Sequence, residues 1–230
     1  MQYPKTYVII PAFNEQESIA KVIAEIPSWV TEIVVVNNNS TDNTMTRASE
    51  AGATVITENL KGYGYACLTG IAFIAPKNPE LVVFVDGDYS DYPDEMTKLV
   101  KPIIDGQAEM VIGSRALGHK ENGSMTPQQV FGNWLATTLI KLFFDVRYTD
   151  LGPFRAITWP TLQKLQMEDK TYGWTVEMQL KAAKMGVKTT EVPVNYRRRI
   201  GISKVSGTVK GTVLAGYKIL SWIFKYALKS

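Results

Sequence analysis

The run LVVFVDGDYSDYPDE constrains this chain more than any other stretch. Leu81 to Val85 are all apolar, the pattern of a strand covered on both faces, and such strands belong to parallel sheets flanked by helices. The run then delivers Asp86-Gly87-Asp88. In open α/β sheets ligands collect beyond the carboxyl ends of strands, so both acids are expected to face a crevice, with Gly87 letting the backbone bend between them. Two neighbouring carboxylates repel unless positive charge lies between them, and a hard divalent cation bridging to substrate phosphates meets that need. A solvated turn rich in Asp and Pro is the alternative these residues leave open.

Strand and helix patterns alternate on either side of this run. Strands are predicted at Thr6–Ile10, Glu32–Val36, Thr54–Thr57 and Glu109–Gly113. Between them, Glu15–Glu25 carries Ile19, Val22 and Ile23 at helical spacing, and a helix capped by Thr41 or Asp42 runs to about Ala51, where Gly52 stops it. Further helices are expected around Gly70 before Pro76, from Pro93 to about Asp105, and over Phe131–Phe144. This β-α-β-α order predicts an α/β fold with a mostly parallel, Rossmann-like central sheet and helices on both faces. The polar stretch Ala116–Gln129 reads as a loop near the site, either a mobile lid or a simple connector.

At 230 residues and 45% apolar content the chain can bury one good core. The expected division is a domain over residues 1–205 followed by a helical appendage over 206–230. Net charge is only +3, but basic residues gather late, from Arg197, Arg198 and Arg199 through Lys204, Lys210, Lys218, Lys225 and Lys229. That asymmetry implies a local anionic partner rather than nucleic acid. The single Cys67 excludes an intramolecular disulfide, fits a reducing compartment and is expected to serve packing. The opening MQYPKTYVIIPAFNE has none of the features of a secretory signal, so a cytoplasmic location is expected.

Six motifs in order carry a resemblance. They are Pro11-Ala12-Phe13-Asn14-Glu15, Asn37 to Thr44, Asp86-Gly87-Asp88, Gly113-Ser114-Arg115, Asp150 to Ala156, and Glu191-Val192-Pro193 leading to Arg198 and Gly201-Ile202-Ser203-Lys204. Together they resemble family 2 glycosyltransferases, in the branch similar to dolichol-phosphate mannosyltransferase and polyprenyl-phosphate glucosyltransferase. The resemblance implies a GT-A fold, a nucleotide-sugar donor of the UDP-glucose or GDP-mannose type, Mg²⁺ or Mn²⁺, and inversion at the anomeric carbon. It also implies that Pro11, Ala12 and Glu15 line base and ribose, and that Asp86 and Asp88 face donor and metal. By the same resemblance Arg115, Arg155 and Arg198, with Ser203 and Lys204, gather around an acceptor phosphate.

Several residues add to or depart from that pattern. Asn37 and Asn38 stand where the family carries two acids, and an amide both donates and accepts, so altered base contacts are expected. Lys61, in Lys61-Gly62-Tyr63-Gly64, is a candidate for the donor phosphates. Asp91 is either a third acid or a helix N-cap. Glu177 is a candidate to orient an acceptor or pair with an arginine, Asp150 to support the arginine loop, and His119, the only histidine, reads as a surface residue. A phosphate monoester acceptor is already largely ionised at neutral pH and needs no strong base.

From Val209 to Lys229 the chain is apolar apart from lysines that fall in one sector at 100° per residue. Such a helix is suited to the headgroup layer with its lysines towards anionic lipid, or else to packing on protein. Lys218 and Lys225 interrupt the length needed for a span. The expectation is therefore a hexosyltransferase peripheral to the cytoplasmic membrane face, using a polyprenyl phosphate. A soluble or glycan hydroxyl acceptor, which would require a general base, and a non-catalytic nucleotide-sugar-binding protein are the alternatives.

Overall fold

The structure, a computed structural model, describes residues 3–201, 203 and 209–228, with backbone alone at 209, 210 and 212. Seven strands form one sheet in the order β3-β2-β1-β4-β6-β5-β7. They are β1 (Thr6–Ala12), β2 (Glu32–Asn37), β3 (Thr54–Thr57), β4 (Leu81–Phe84), β5 (Met110–Ser114), β6 (Arg155–Thr158) and β7 (Thr189–Pro193). The helices are α1 (Ile19–Ala24), α2 (Thr44–Glu50), α3 (Tyr63–Ile74), α4 (Met96–Ile104), α5 (Pro127–Phe144), α6 (Trp159–Leu165), α7 (Trp174–Lys184) and α8 (Val209–Leu228).

All pairings are parallel except those of β6, which runs against both β4 and β5. The mostly parallel sheet matches the expectation; the reversed β6 was not anticipated, since a four-residue strand carries little pattern of its own. Alternation along β1 sends Tyr7 and Ile9 to one face and Val8, Ile10 and Ala12 to the other. The first face is covered by α3, α5, α7 and α8, through Cys67, Ile140, Trp174 and Ile223 among others; the second by α1, α2 and α4, through Ile19, Ala48 and Leu99. Cys67 is buried there as a packing residue.

Two boundaries differ instructively. Helix α5 begins at Pro127, four residues before the apolar pattern, because Thr126 and Gln129 form a reciprocal capping box that satisfies the first amides. The Ala116–Gln129 stretch is no free lid. Its backbone is stitched to the segment after β7, with Tyr196 donating to His119 O at 2.9 Å and Glu121 donating to Tyr196 O at 2.9 Å.

Helix α8 packs on the domain through buried Trp222 and Ile223, against α5 and α7. Of its described lysine side chains, Lys218 Nζ lies 3.2 Å from Asp169 and Lys225 lies over the Trp222 ring at 4.2 Å. Val213, Tyr217, Phe224 and Leu228 of this helix are exposed. Lys210's side chain and Lys229 lie outside the described residues. Among those described, no helix is long and apolar enough to cross a membrane.

Candidate functional site

After β1 the chain adds β2 and β3 on one side and then returns to place β4 on the other. The carboxyl ends of β1 and β4 therefore flank a topological switch point, where open α/β sheets leave a crevice. A cleft of about 340 Å³ lies there. Pro11, Ala12, Phe13 and Glu15 line it from the β1 end, and Asp86, Gly87 and Asp88 from the β4 end. Asn38, Lys61, Gly62 and Tyr63 form a third wall; Thr171, Tyr172, Arg199 and Ser203 complete it.

Asp88 is 5% exposed. Its Oδ1 accepts the Ser90 amide at 2.9 Å, which leaves Oδ2 to face Arg199 Nη1 at 3.0 Å. Arg199 also reaches towards Glu15 Oε1 at 3.5 Å. Asp86 accepts the Tyr63 hydroxyl at 3.0 Å. Burial pushes the Asp86 carboxyl up to about 7, and the nearby Asp88 charge adds to it against the pull of Tyr63, Arg199 and Arg115. Asp91 is 1% exposed, and neither carboxylate oxygen has a hydrogen-bond partner among the described residues. Burial, then the charges of Asp86 and Asp88, drive its carboxyl well above the carboxylate range. It is no helix cap: the following 3₁₀ turn starts from Tyr92, without a side-chain cap.

Among the described residues no group of three or more His, Cys, Asp or Glu is placed to hold a metal. Two carboxylates are nonetheless a fitting donor set for Mg²⁺ or Mn²⁺, which keep waters and take substrate phosphate oxygens for the remaining positions. Asp88 Oδ2 is paired with a guanidinium in this structure.

The two asparagines are engaged by the protein. Asn38 Oδ1 accepts the Gly62 amide at 2.8 Å, while its Nδ2 donates to Leu60 O at 2.7 Å and Glu58 O at 3.2 Å. An Asp in its place could not donate to two carbonyls. Asn37, 3% exposed, accepts the Ser40 amide at 3.1 Å and does not line the cleft. Lys61 Nζ sits 5.2 Å over the Phe13 ring.

The three arginines expected around an acceptor phosphate are each engaged by the protein. Arg115 forms a two-pronged pair with Asp150, Nε to Oδ2 and Nη2 to Oδ1 both at 2.7 Å, as expected of an aspartate that supports the arginine loop. Arg155 is fully buried, and its guanidinium donates to the carbonyls of Thr175, Leu151 and Gly152, a core position rather than a place on the cleft. Burial lowers it to about 10. Arg198 donates through Nε to Asn122 O at 2.6 Å, bracing the 116–126 loop. Ser203 lines the cleft; Lys204 lies outside the described residues. Glu177 pairs with Lys181 at 2.8 Å and accepts the Glu168 and Asp169 amides, not an arginine.

The cleft arginine is Arg199, which pattern reading passed over for its neighbour. The three consecutive arginines were the available signal. Tyr63, Phe13 and the Thr171–Tyr172 wall were also missed, since aromatic and loop residues carry no local mark of facing a ligand.

A doubly wound sheet with two carboxylates lining a cleft at its switch point is the arrangement in which open α/β folds take ligands. Residues 7–168 match the model of glycosyl transferase family 2, and the chain belongs to that family. It is thus a glycosyltransferase, and its fold is GT-A. An uncharacterised glycosyltransferase of Mycobacterium tuberculosis is 34% identical over 211 residues, 90% of this chain and 93% of that protein. An undecaprenyl-phosphate mannosyltransferase of Micrococcus luteus is 28% identical over 220 residues, covering 90% of each. Among solved structures, glucosyl-3-phosphoglycerate synthase of M. tuberculosis, bound to Mn²⁺, UDP and glucosyl-3-phosphoglycerate, superposes with a TM-score of 0.75 at 19% identity. That likeness spans 97% of this chain and 80% of the other and is one of fold.

Proposed function

We propose that this glycosyltransferase moves a hexose from a nucleotide diphosphate sugar to a polyprenyl phosphate at a lipid surface. The observation that carries the lipid acceptor is the set of exposed apolar side chains on two packed helices. On α5, Phe131, Trp134 and Leu142 are exposed; on α8, Val213, Tyr217 and Leu228 are. Phe143 and Phe224 join the two edge to face at 5.8 Å. So many large exposed apolar side chains on adjacent helices suit a lipid interface better than water. A cavity lined by Met125, Val130 and Trp134 leads from this face to Asp150, the partner of Arg115. The M. luteus relative, and a polyprenol monophosphomannose synthase of Mycolicibacterium smegmatis that is 26% identical over 232 residues, are named for such acceptors.

On the donor side, Asp86 and Asp88 would hold Mg²⁺ or Mn²⁺ against the diphosphate. The ion supplies charge stabilisation for the leaving nucleoside diphosphate. Arg199, already on Asp88, adds a guanidinium suited to phosphate oxygens. An acceptor phosphate oxygen attacks the anomeric carbon, the bond from that carbon to the diphosphate breaks, and configuration inverts. The acceptor's second ionisation near pH 6 removes the need for a strong base. The reading places the enzyme at the cytoplasmic membrane face. Its test is incubation of the purified chain with Mg²⁺, a polyprenyl phosphate and a panel of UDP- and GDP-hexoses. A glycosylated lipid from one donor is expected; nucleotide release without lipid product would overturn the lipid acceptor.

A further inference from the structure

Asp169 is 2% exposed and lies between the cleft and α8. Its Oδ1 accepts the amides of Thr171 at 2.7 Å and Gly173 at 3.0 Å, a turn that carries Thr171 and Tyr172 to the cleft wall. Its Oδ2 accepts Trp222 Nε1 at 2.6 Å and lies 3.2 Å from Lys218 Nζ, both on α8. One buried carboxylate thus shapes the cleft wall with one oxygen and grips the C-terminal helix with the other.

The grip is stiff and continues to the acids. Glu177 accepts the Glu168 and Asp169 amides at 2.8 Å each. The Lys170 carbonyl accepts the Tyr65 amide at 3.1 Å. A side chain at Gly62 or Gly64 would stand 2.1 Å from Lys170 O or 2.0 Å from Asp169 O, so these two backbones touch with nothing compressible between them. At Gly173 a Cβ would meet the Trp222 ring at 2.5 Å. Tyr63, within the glycine turn, donates to Asp86. A chain of direct contacts therefore runs from Trp222 through Asp169 and Lys170 to Tyr63 and Asp86.

We propose that Asp169, held by Trp222 and Lys218, is a positioning residue for the nucleotide-sugar site, so that α8 sets the donor wall as well as presenting an apolar face. The proposal rests on the donor reading above. Trp222→Phe keeps an apolar ring but removes the N–H donor together with the pyrrole half of the indole, so Asp169→Asn, which changes no volume, separates the hydrogen bond from the packing. Asp169→Asn is the second variant, because an amide cannot accept from both sides as a carboxylate does.

Two readouts on the full chain test it: calorimetric affinity for UDP and for GDP, each with Mn²⁺, and hydrogen exchange at the Thr171 and Gly173 amides. Each variant is expected to bind the preferred nucleotide at least threefold more weakly and to exchange those amides at least tenfold faster. Ser221→Ala, a neighbour on α8 whose hydroxyl donates within the helix to Lys218 O, is expected to match the unsubstituted chain in both. In turnover assays the loss should appear in donor KM, with kcat nearly kept. Exchange and affinity in Trp222→Phe and Asp169→Asn equal to the unsubstituted chain would overturn the proposal. Failure of the unsubstituted chain to bind either nucleotide counts against the donor reading, and amide exchange then tests only whether Asp169 and α8 hold the 171–173 turn.

Discussion

Arg199 Nη1 lies 3.0 Å from Asp88 Oδ2, which puts a guanidinium on one of the two carboxylates proposed to hold a metal. The pair neutralises one member of a crowded acidic group, and it must open if a divalent cation is to use the same oxygen. Arg199, 26% exposed in its side chain, lines the cleft proposed to take the donor diphosphate.

Arg199→Gln should therefore have effects of opposite sign. A partly exposed ion pair is worth about 1 kcal/mol, roughly fivefold in affinity. Mn²⁺ alone is expected to bind more tightly to the variant, and Mn²⁺ with UDP or GDP more weakly. Isothermal titration in the two formats measures both; a change of the same sign in each would contradict this exchange of partners.

Asp88→Ala should cut turnover by at least about a hundredfold, since charge stabilisation of a leaving diphosphate is worth several kcal/mol. Circular dichroism should stay unchanged, because the side chain sits at a cleft and outside both apolar clusters. Full activity after chelation of divalent cations would sink the metal role.

The raised Asp86 carboxyl gives a pH signature in the metal-free protein. Its ordinary value is 3.8 and its folded value about 7, so between these the folded chain holds a proton that the unfolded chain has lost. Stability should fall as pH rises through that window. Urea midpoints between about pH 4 and 8 should show the decline, and Asp86→Asn should lessen it, with Asp91, whose carboxyl is also raised, contributing to what remains.

Asp150→Asn leaves the Arg115 guanidinium without its two-pronged partner at a site where Asp150 is 1% exposed. Burial works to raise the Asp150 carboxyl, but Arg115 outweighs it and holds the group below its usual range. Breaking such a pair costs about 3–5 kcal/mol, read as a lower urea midpoint. Arg115→Lys should not restore it, because an ammonium cannot form the fork.

Phe131→Ser and Tyr217→Ser test the two-helix face. Burying a large apolar side chain is worth about 1.5–3 kcal/mol, so each change should weaken binding to vesicles of mixed anionic and neutral lipid by roughly tenfold or more. Cosedimentation measures it, and unaltered binding in both would detach the face from lipid.

Much of this was readable in the chain. Local periodicity exposed β1 to β5 and most of their helices, and the position of Asp86 and Asp88 after a wholly apolar strand follows from residues that lie next to one another. The choice among arginines was not readable. In extended chain successive side chains point to opposite sides, so Arg198 braces a loop while Arg199 enters the cleft, and only the position of that segment beside Asp88 decides which.

Sequence alone thus determined the parallel sheet, the place of the acids and the family, because each rests on short-range pattern. Tertiary structure decided the partners: Asp150 for Arg115, 35 residues apart, and Asp169 for Trp222, 53 apart. Pairings at such separation leave no periodic trace in sequence, since they are set by how the sheet brings distant loops together and by the cost of burying a charge without a partner.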